Sequence, residues 1–270
     1  MNKKKRDIIF YFFILIGLSF IAYPTFNYIT STIGNSYVIA SYNKGVSKIN
    51  KEDKKSIIFN AKKYNKALYL HKFNLKSYRW KKIYYHQLNL NNSGIMGYID
   101  INDYGIHLPI YHGSNDAVLQ IGAGHLEYSS LPIGGRSTHA VISAHTGLPS
   151  ARMFDQICKL KIGSYFQLRI LNKTLDYKVD KISIVNPSQI SVIKIEKNKD
   201  YCSLLTCTPM GINNKRLVIR GHRVNTRIKN NKSLNILKII PIYIYVIFLI
   251  CLLFLGVIAY KKLYLFVASH

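Results

Sequence analysis

From residue 94 onward, short apolar runs alternate with turn residues: 96–101, 106–111, 140–143, 165–170, 175–185, 191–195, 203–206 and 217–219. Runs this short and this closely spaced, with few windows of helical period, predict the strands of a closed β-barrel or a sandwich. Ahead of them the texture is different. Ile57, Ala61, Tyr64 and Leu68 recur every three or four residues between lysines, which predicts an amphipathic helix over 51–70 whose apolar stripe is for packing. Residues 36–50 read as a polar connector. Residues 74–92 are basic, aromatic and aperiodic, and read as a loop or a segment lying over the domain. One short helix is expected near 150–160, and no internal repeat is visible.

The chain's two ends follow another pattern. No charge occurs between Asp7 and Lys44, and residues 8–22 are mostly Ile, Phe and Leu. Residues 239–260 form a second uncharged run, long enough to cross a bilayer as a helix at about 1.5 Å per residue. The basic stretch Lys3, Lys4, Lys5, Arg6 ahead of the first run also suits a signal peptide, but no small-x-small cleavage site follows. An uncleaved anchor is the better reading. Basic residues precede the first run and are absent for a long way after it, which places the N-terminus in the cytoplasm and the middle domain outside. The second run taken alone points the other way, since Arg223, Arg227, Lys229, Lys232 and Lys238 precede it. The first run sets the orientation because its asymmetry is cleaner. The expected organisation is a cytoplasmic tail (1–7), an anchor (8–29), a connector with amphipathic helix and possible lid (30–92), a β-barrel (93–226), a basic linker (227–238), a second span (239–260) and a cytoplasmic tail (261–270).

The chain has 270 residues and a formal net charge of +26. That charge invites a nucleic-acid reading, but no zinc-finger, helix-turn-helix or RNA-recognition signature accompanies it. On a domain outside the membrane, a basic surface better suits anionic lipid headgroups or an anionic envelope. Four cysteines at irregular positions do not make a disulfide framework. Cys251 lies in the second uncharged run, and Cys158 and Cys202 read as small buried hydrophobes. Cys202 and Cys207 are five apart, so on one strand they face opposite ways. Cys207 is left as the free thiol.

The chemistry gathers at residues 201–223, Tyr-Cys-Ser-Leu-Leu-Thr-Cys-Thr-Pro-Met-Gly-Ile-Asn-Asn-Lys-Arg-Leu-Val-Ile-Arg-Gly-His-Arg. Two strand-like runs flank a loop rich in Pro, Gly and Asn, so they read as antiparallel neighbours. Cys207 then ends one strand and Arg216 starts the next. The thiolate is cysteine's nucleophilic form, a neighbouring cation favours it, and a guanidinium can stabilise the oxyanion formed when a thiolate attacks a carbonyl. The proton-transfer partner comes from upstream. His139 and His145 flank a strand-like run, and His145 ends it, followed by Thr146 and Gly147. Together Cys207, His145 and Arg216 make an acyl-transfer site. No cofactor is called for, and His125, His139 and His145 have no metal-ligand spacing on one element.

The run Leu204-Leu205-Thr206-Cys207-Thr208-Pro209, with Arg216 nine residues beyond the cysteine, resembles the sortase signature. His145-Thr-Gly-Leu-Pro resembles the sortase histidine segment. Tyr111-His112-Gly113, Gly124-His125-Leu126 and Leu131-Pro132-Ile133-Gly134-Gly135 are similar to pilus-building (class C) sortases, and so is the layout with two anchors. The resemblance covers about 96–224. It implies a mainly β fold, a closed sortase-type barrel of about eight strands with short helices, an N-terminal helical segment and two transmembrane helices. It implies that Cys207 attacks the Thr–Gly carbonyl of an LPxTG-like sorting signal, that His145 serves as acid and base, and that Arg216 holds the substrate or stabilises the oxyanion. A pilin lysine amine would resolve the thioester and extend a fibre at the cell surface of a Gram-positive bacterium.

Two positions depart from that pattern. Class C relatives often carry a lid with an Asp-Pro-aromatic motif; no Asp-Pro occurs in 60–93, so a lid would use other residues, such as Phe73, Tyr78 or Trp80, or be absent. Met210 stands where relatives commonly have an aromatic. Two competing readings stay open: a sortase of another class that anchors surface proteins to peptidoglycan, and a membrane-tethered basic module that binds anionic envelope polymers. A papain-like peptidase fits poorly, because its cysteine precedes its histidine and opens a helix.

Overall fold

The computed structural model describes residues 3–148, 151–225 and 251. The chain divides into two compact units, residues 30–232 and residues 1–29 with 233–270. The first holds everything that bears on the site.

Its centre is a closed barrel of β1 (Ile95–Ile101), β2 (Ile106–His112), β3 (Ala123–His125), β4 (Thr138–Ser143), β5 (Tyr165–Ile170), β6 (Lys173–Val185), β7 (Asp200–Thr208) and β8 (Lys215–Val224). The strands run in the order β1-β2-β3-β4-β7-β8-β6-β5. β2 and β3 pair in parallel, as do β4 and β7, and the other neighbours are antiparallel. Ile99, Ile110, Ile142, Leu168, Leu204 and Ile219 are fully buried in one core, each contributing roughly 1.5–3 kcal/mol of burial. Closure brings β5 tight against β1 at Gly97, where any Cβ would stand 2.3 Å from the Arg169 carbonyl oxygen.

Seven of the runs expected to be strands form them; the run at 191–195 does not. It falls largely in a 3-10 turn, Ile190–Ile193, and of its residues only Ile195 packs against the core, half-buried. The remaining place in the barrel is taken by β3. Its three residues, Ala-Gly-His, give no apolar run, and it owes its conformation to backbone pairing with β2 and β4.

Among the described residues, four α-helices accompany the barrel: α1 (Lys3–Lys48), α2 (Lys51–Tyr69), α3 (Tyr78–His86) and α4 (Asp116–Ile121). α2 matches the expected amphipathic helix, with Asn50 accepting the Asp53 N–H as its cap. The polar connector at 36–50 is instead helical through Lys48. Ile39, Tyr42 and Val46 are buried at helical spacing, and Tyr42 Oη donates to the Met96 carbonyl (2.9 Å) while accepting from Leu171 N (3.1 Å). The loop expected over 74–92 contains α3, capped by Ser77 Oγ accepting from Trp80 N. In place of the helix expected near 150–160, the described residues there form a 3-10 turn, Ile157–Lys159.

Among the described residues no helix is long and apolar enough to cross a membrane. The span expected at 8–29 is thus not confirmed by the described residues, and the one expected at 239–260 lies, Cys251 apart, outside them. The linker at 227–238, the tail at 261–270 and the first two residues of the tail at 1–7 also lie outside them.

α2 and α3 are fixed to the barrel through polar bonds that the apolar pattern does not announce. Buried Asn65 on α2 accepts from Leu131 N (2.8 Å) and donates to Leu131 O (3.1 Å). Trp80 donates to Tyr64 Oη (2.9 Å) and stacks between Tyr84 and Tyr128; Phe73 packs on Tyr64. Phe73 and Trp80, two of the residues suggested for a lid, therefore hold the helical layer together. Tyr78 is 82% exposed.

Beneath α3 lies His125, fully buried. The Ser130 carbonyl beside Nε2 (2.8 Å) can only accept, so Nε2 carries the proton and Nδ1 accepts from Tyr84 Oη (2.9 Å). Burial pushes His125 down to about 4 and also lowers His112 and His139. The folded value lies below the unfolded one, so the stability is complete above pH 6.5 and is lost as pH falls toward 4. Below 6.5 the unfolded chain takes up protons that the folded chain refuses. The unfolding free energy is expected to fall from His125 alone with a slope that approaches about 1.4 kcal/mol per pH unit between the two values. Urea titrations between about pH 7.5 and 5 measure this directly, and a flat profile would contradict it.

Candidate active site

On β7, Cys202 and Leu204 belong to the barrel core. Strand alternation places Tyr201, Ser203, Leu205 and Cys207 on the opposite, outer face. Cys207 and Arg216 are direct partners across the β7–β8 ladder, as the strand–loop–strand pattern requires. The parallel pairing of β4 with β7 runs to Ser143↔Leu205, and Ala144 N continues it by donating to Leu205 O (3.2 Å). His145 lies two residues beyond Ser143, one past the last bond of that ladder. Cys207 and Arg216 are thus paired across β7 and β8, and His145 follows the end of β4 on the other side of β7. All three are half-buried.

Three local features hold this arrangement. Thr206 Oγ1 donates to Ala144 O (2.8 Å), tying the residue before the cysteine to the residue before the histidine. The Asp155 carboxylate accepts from Gly147 N (2.7 Å) and Met153 N (3.0 Å), and His145 O accepts from Phe154 N (2.9 Å). These bonds close the loop after β4. The β7–β8 loop turns tightly after the cis Thr208–Pro209 bond, with Pro209 O accepting from Ile212 N and Asn213 N. Arg216 Nη1 donates to Asn213 O (3.0 Å) and Lys215 O (3.1 Å), so one guanidinium edge is spent on its own loop. The two loops meet where Met210 Cγ comes within 2.7 Å of the place a Cβ on Gly147 would occupy, a glycine at φ +76°. Met210 thus serves as packing between the loops.

Thr206 and Asp155 are not singled out by the sequence pattern. Asp155 leaves a trace: acids are few in this chain, twelve in all, and this one falls ten residues after His145. Nothing comparable marks Thr206.

The other candidates separate cleanly. His139 shares the outer face but is buried, with Nε2 on Ser203 Oγ (2.8 Å) and Nδ1 on the Lys194 carbonyl (2.9 Å). His112 and His125 are buried and bonded to backbone carbonyls. Cys202 is buried, which pushes its thiol well up. Cys158, expected inside, is exposed and donates to Asp155 O; it sits on a surface 3-10 turn that faces solvent. Of the Leu131–Gly135 segment, Leu131 is held by Asn65, while Gly135 N donates to Asp200 (2.7 Å), so the segment clamps α2 to the barrel. Among the described residues, no group of three or more His, Cys, Asp or Glu is placed to hold a metal ion.

A nucleophile candidate, an imidazole and a guanidinium side by side at the open ends of β4, β7 and β8 are equipped for acyl transfer through a thioester. The family model for the sortase domain matches residues 99–224. Among solved structures, sortase C1 from Streptococcus agalactiae is 44% identical with a TM-score of 0.68, and the match covers 71% of this chain and 100% of that one. A sortase C from Clostridium perfringens, solved with the C-terminal cell wall sorting motif, is 40% identical with a TM-score of 0.64, over 71% and 100%. The sortase A of Streptococcus agalactiae is 29% identical over 219 residues, 77% of this chain and 83% of that protein. The chain belongs to the sortase family of cysteine transpeptidases, and its likeness to the sortase C structures places it in class C.

Proposed function

We propose that this protein is a membrane-anchored sortase that polymerises pilins, with Cys207 as nucleophile, His145 as acid and base, and Arg216 as the oxyanion partner. The observation that carries the reading is the pairing of Cys207 with Arg216 across β7 and β8, with His145 just past the end of the neighbouring β4. His145 takes the Cys207 thiol proton, Sγ attacks the Thr carbonyl carbon of an LPxTG-like signal, and the C=O π pair moves onto oxygen, toward the free edge of the Arg216 guanidinium. The tetrahedral intermediate collapses, the C–N bond to glycine breaks, and His145 gives the leaving nitrogen its proton. A pilin lysine amine then attacks the thioester, His145 takes a proton from it, and Sγ leaves as the isopeptide bond forms. The uncharged runs at 8–29 and 239–260 support two spans, with both termini cytoplasmic and the barrel outside.

Incubating the purified chain in detergent with an LPxTG-type peptide, beside Cys207→Ala, tests the first half by mass spectrometry. The expected result is a mass increase equal to the acyl fragment, located on Cys207 and absent from the variant. An adduct on any other residue, or none at all, would overturn the assignment. Adding a pilin fragment and a peptidoglycan-type amine in competition identifies the second substrate. Release onto the pilin lysine supports polymerisation, and release onto the wall amine would move the chain to an anchoring role.

A further inference from the structure

The helical layer carries a charge that neither the barrel nor the site uses. Between Lys44 and Lys82 there are thirteen Lys and Arg against two acids, Glu52 and Asp53. Glu52 is paired with Lys55 (2.8 Å) and Asp53 is occupied at the α2 cap, so neither offsets the rest of the face. At 100° per residue, positions 51, 55, 59, 62 and 66 of α2 fall within a stripe of about 80°. This stripe lies opposite the buried Ala61, Tyr64 and Leu68. Four of its members are exposed lysines, and the fifth, midway along its length, is Phe59, 66% exposed. α3 repeats the arrangement: Trp80 and Tyr84 face inward, while Tyr78, Arg79 and Lys82 are exposed, Tyr78 by 82%.

A face that is only solvated has no use for aromatic rings set among its lysines. A soluble polyanion would satisfy the charges and leave the rings in water. Lysines around exposed Phe and Tyr on a helix face match the interface of a bilayer, where cations meet headgroup phosphates and rings enter the boundary with the acyl chains. The chain also delivers this unit to such a surface, on the reading that residues 8–29 are an anchor, because the unit begins at Thr30. We infer that the outer face of α2 and α3 binds an anionic lipid leaflet, with Lys51, Lys62, Lys66 and Lys82 on phosphates and Phe59 and Tyr78 in the interface. The inference rests on the membrane-anchored reading above.

Acetylation footprinting of the full chain tests it. The chain is reconstituted into vesicles of phosphatidylcholine alone, or of phosphatidylcholine with phosphatidylglycerol. One basic residue near an anionic leaflet is worth roughly a fivefold factor in local partitioning. Modification of Lys51, Lys62, Lys66 and Lys82 is therefore expected to slow by about fivefold or more on the anionic vesicles, and to recover in high salt. The exposed barrel lysines Lys173 and Lys215 are the internal controls and should not change. The variant with Phe59→Ser and Tyr78→Ser should lose much of the protection while keeping its fold, since both side chains are exposed. Equal rates on the two vesicles would overturn the proposal. Protection that appears only when inorganic polyphosphate is added to neutral vesicles would also overturn it, by assigning the face to a polymer. Retention of the chain through an alkaline carbonate wash reports the anchor separately, so the two readings can fail independently.

Discussion

Replacing His145 with alanine is expected to lower kcat/KM for transfer from an LPxTG-type peptide by about 10³-fold, within the 10²–10⁴ that a positioned acid and base contributes. The leaving group in the first half-reaction is an amine, which departs poorly without a proton, and the incoming amine must lose one. Both demands fall on one imidazole, and His145 is the histidine just past the end of β4, the strand paired with β7 on the side away from Arg216. The other histidines nearby in sequence are committed elsewhere: His139 holds Ser203 and the Lys194 carbonyl, and His125 holds Ser130 and Tyr84. The variant should fold as before. The contact that His145 gives its loop comes from its backbone carbonyl, accepting from Phe154 N, and alanine keeps that. Urea unfolding should therefore shift by no more than about 0.5 kcal/mol. Activity within about tenfold of the parent, with the fold intact, would remove His145 from the reaction.

How much of this was legible in the sequence depended on where the stabilising contacts lie. The β7–β8 pair was readable because its signals are local: two apolar runs, with Pro209, Gly211 and Asn213 forcing the turn between them. That alone brings Cys207 opposite Arg216. α2 was readable for the same reason, its stripe repeating at helical spacing. β3 was not, because Ala-Gly-His has no local preference and is a strand only because β2 and β4 flank it. Nor was the parallel register of β4 and β7, which pairs Thr138 with Asp200 and Ser143 with Leu205. Those partners are distant in the chain, with β5 and β6 between them, and no turn fixes their alignment. The sequence indicated His145 at a strand end but not which strand it would lie beside. The helical run through Ile39, Tyr42 and Val46 did carry a spacing that could have been read, masked by the polar residues between. Thr206 and Asp155 act through single backbone bonds, and such bonds leave no periodic trace.

Arg216→Ala is expected to slow acylation of Cys207 by about 10²–10³-fold, the usual consequence of removing one oxyanion donor. Arg216→Lys should recover little of it. Arg216 Nη1 is held by the Asn213 and Lys215 carbonyls, so the planar group is fixed before substrate arrives and its remaining N–H groups keep a set direction. A lysine supplies a point charge on a flexible stem; bonding those same carbonyls would turn the charge into the loop, and leaving them would give up the fixed direction. Single-turnover acylation with a saturable peptide separates the two roles that the position suits. Loss in the rate constant at saturation, with the peptide's half-saturation concentration unchanged, is the expected outcome for an oxyanion partner, whose bond strengthens as charge develops on the carbonyl oxygen. Loss confined to the half-saturation concentration would instead make Arg216 a substrate clamp. The oxyanion would then depend on backbone N–H groups at the ends of β4 and β7.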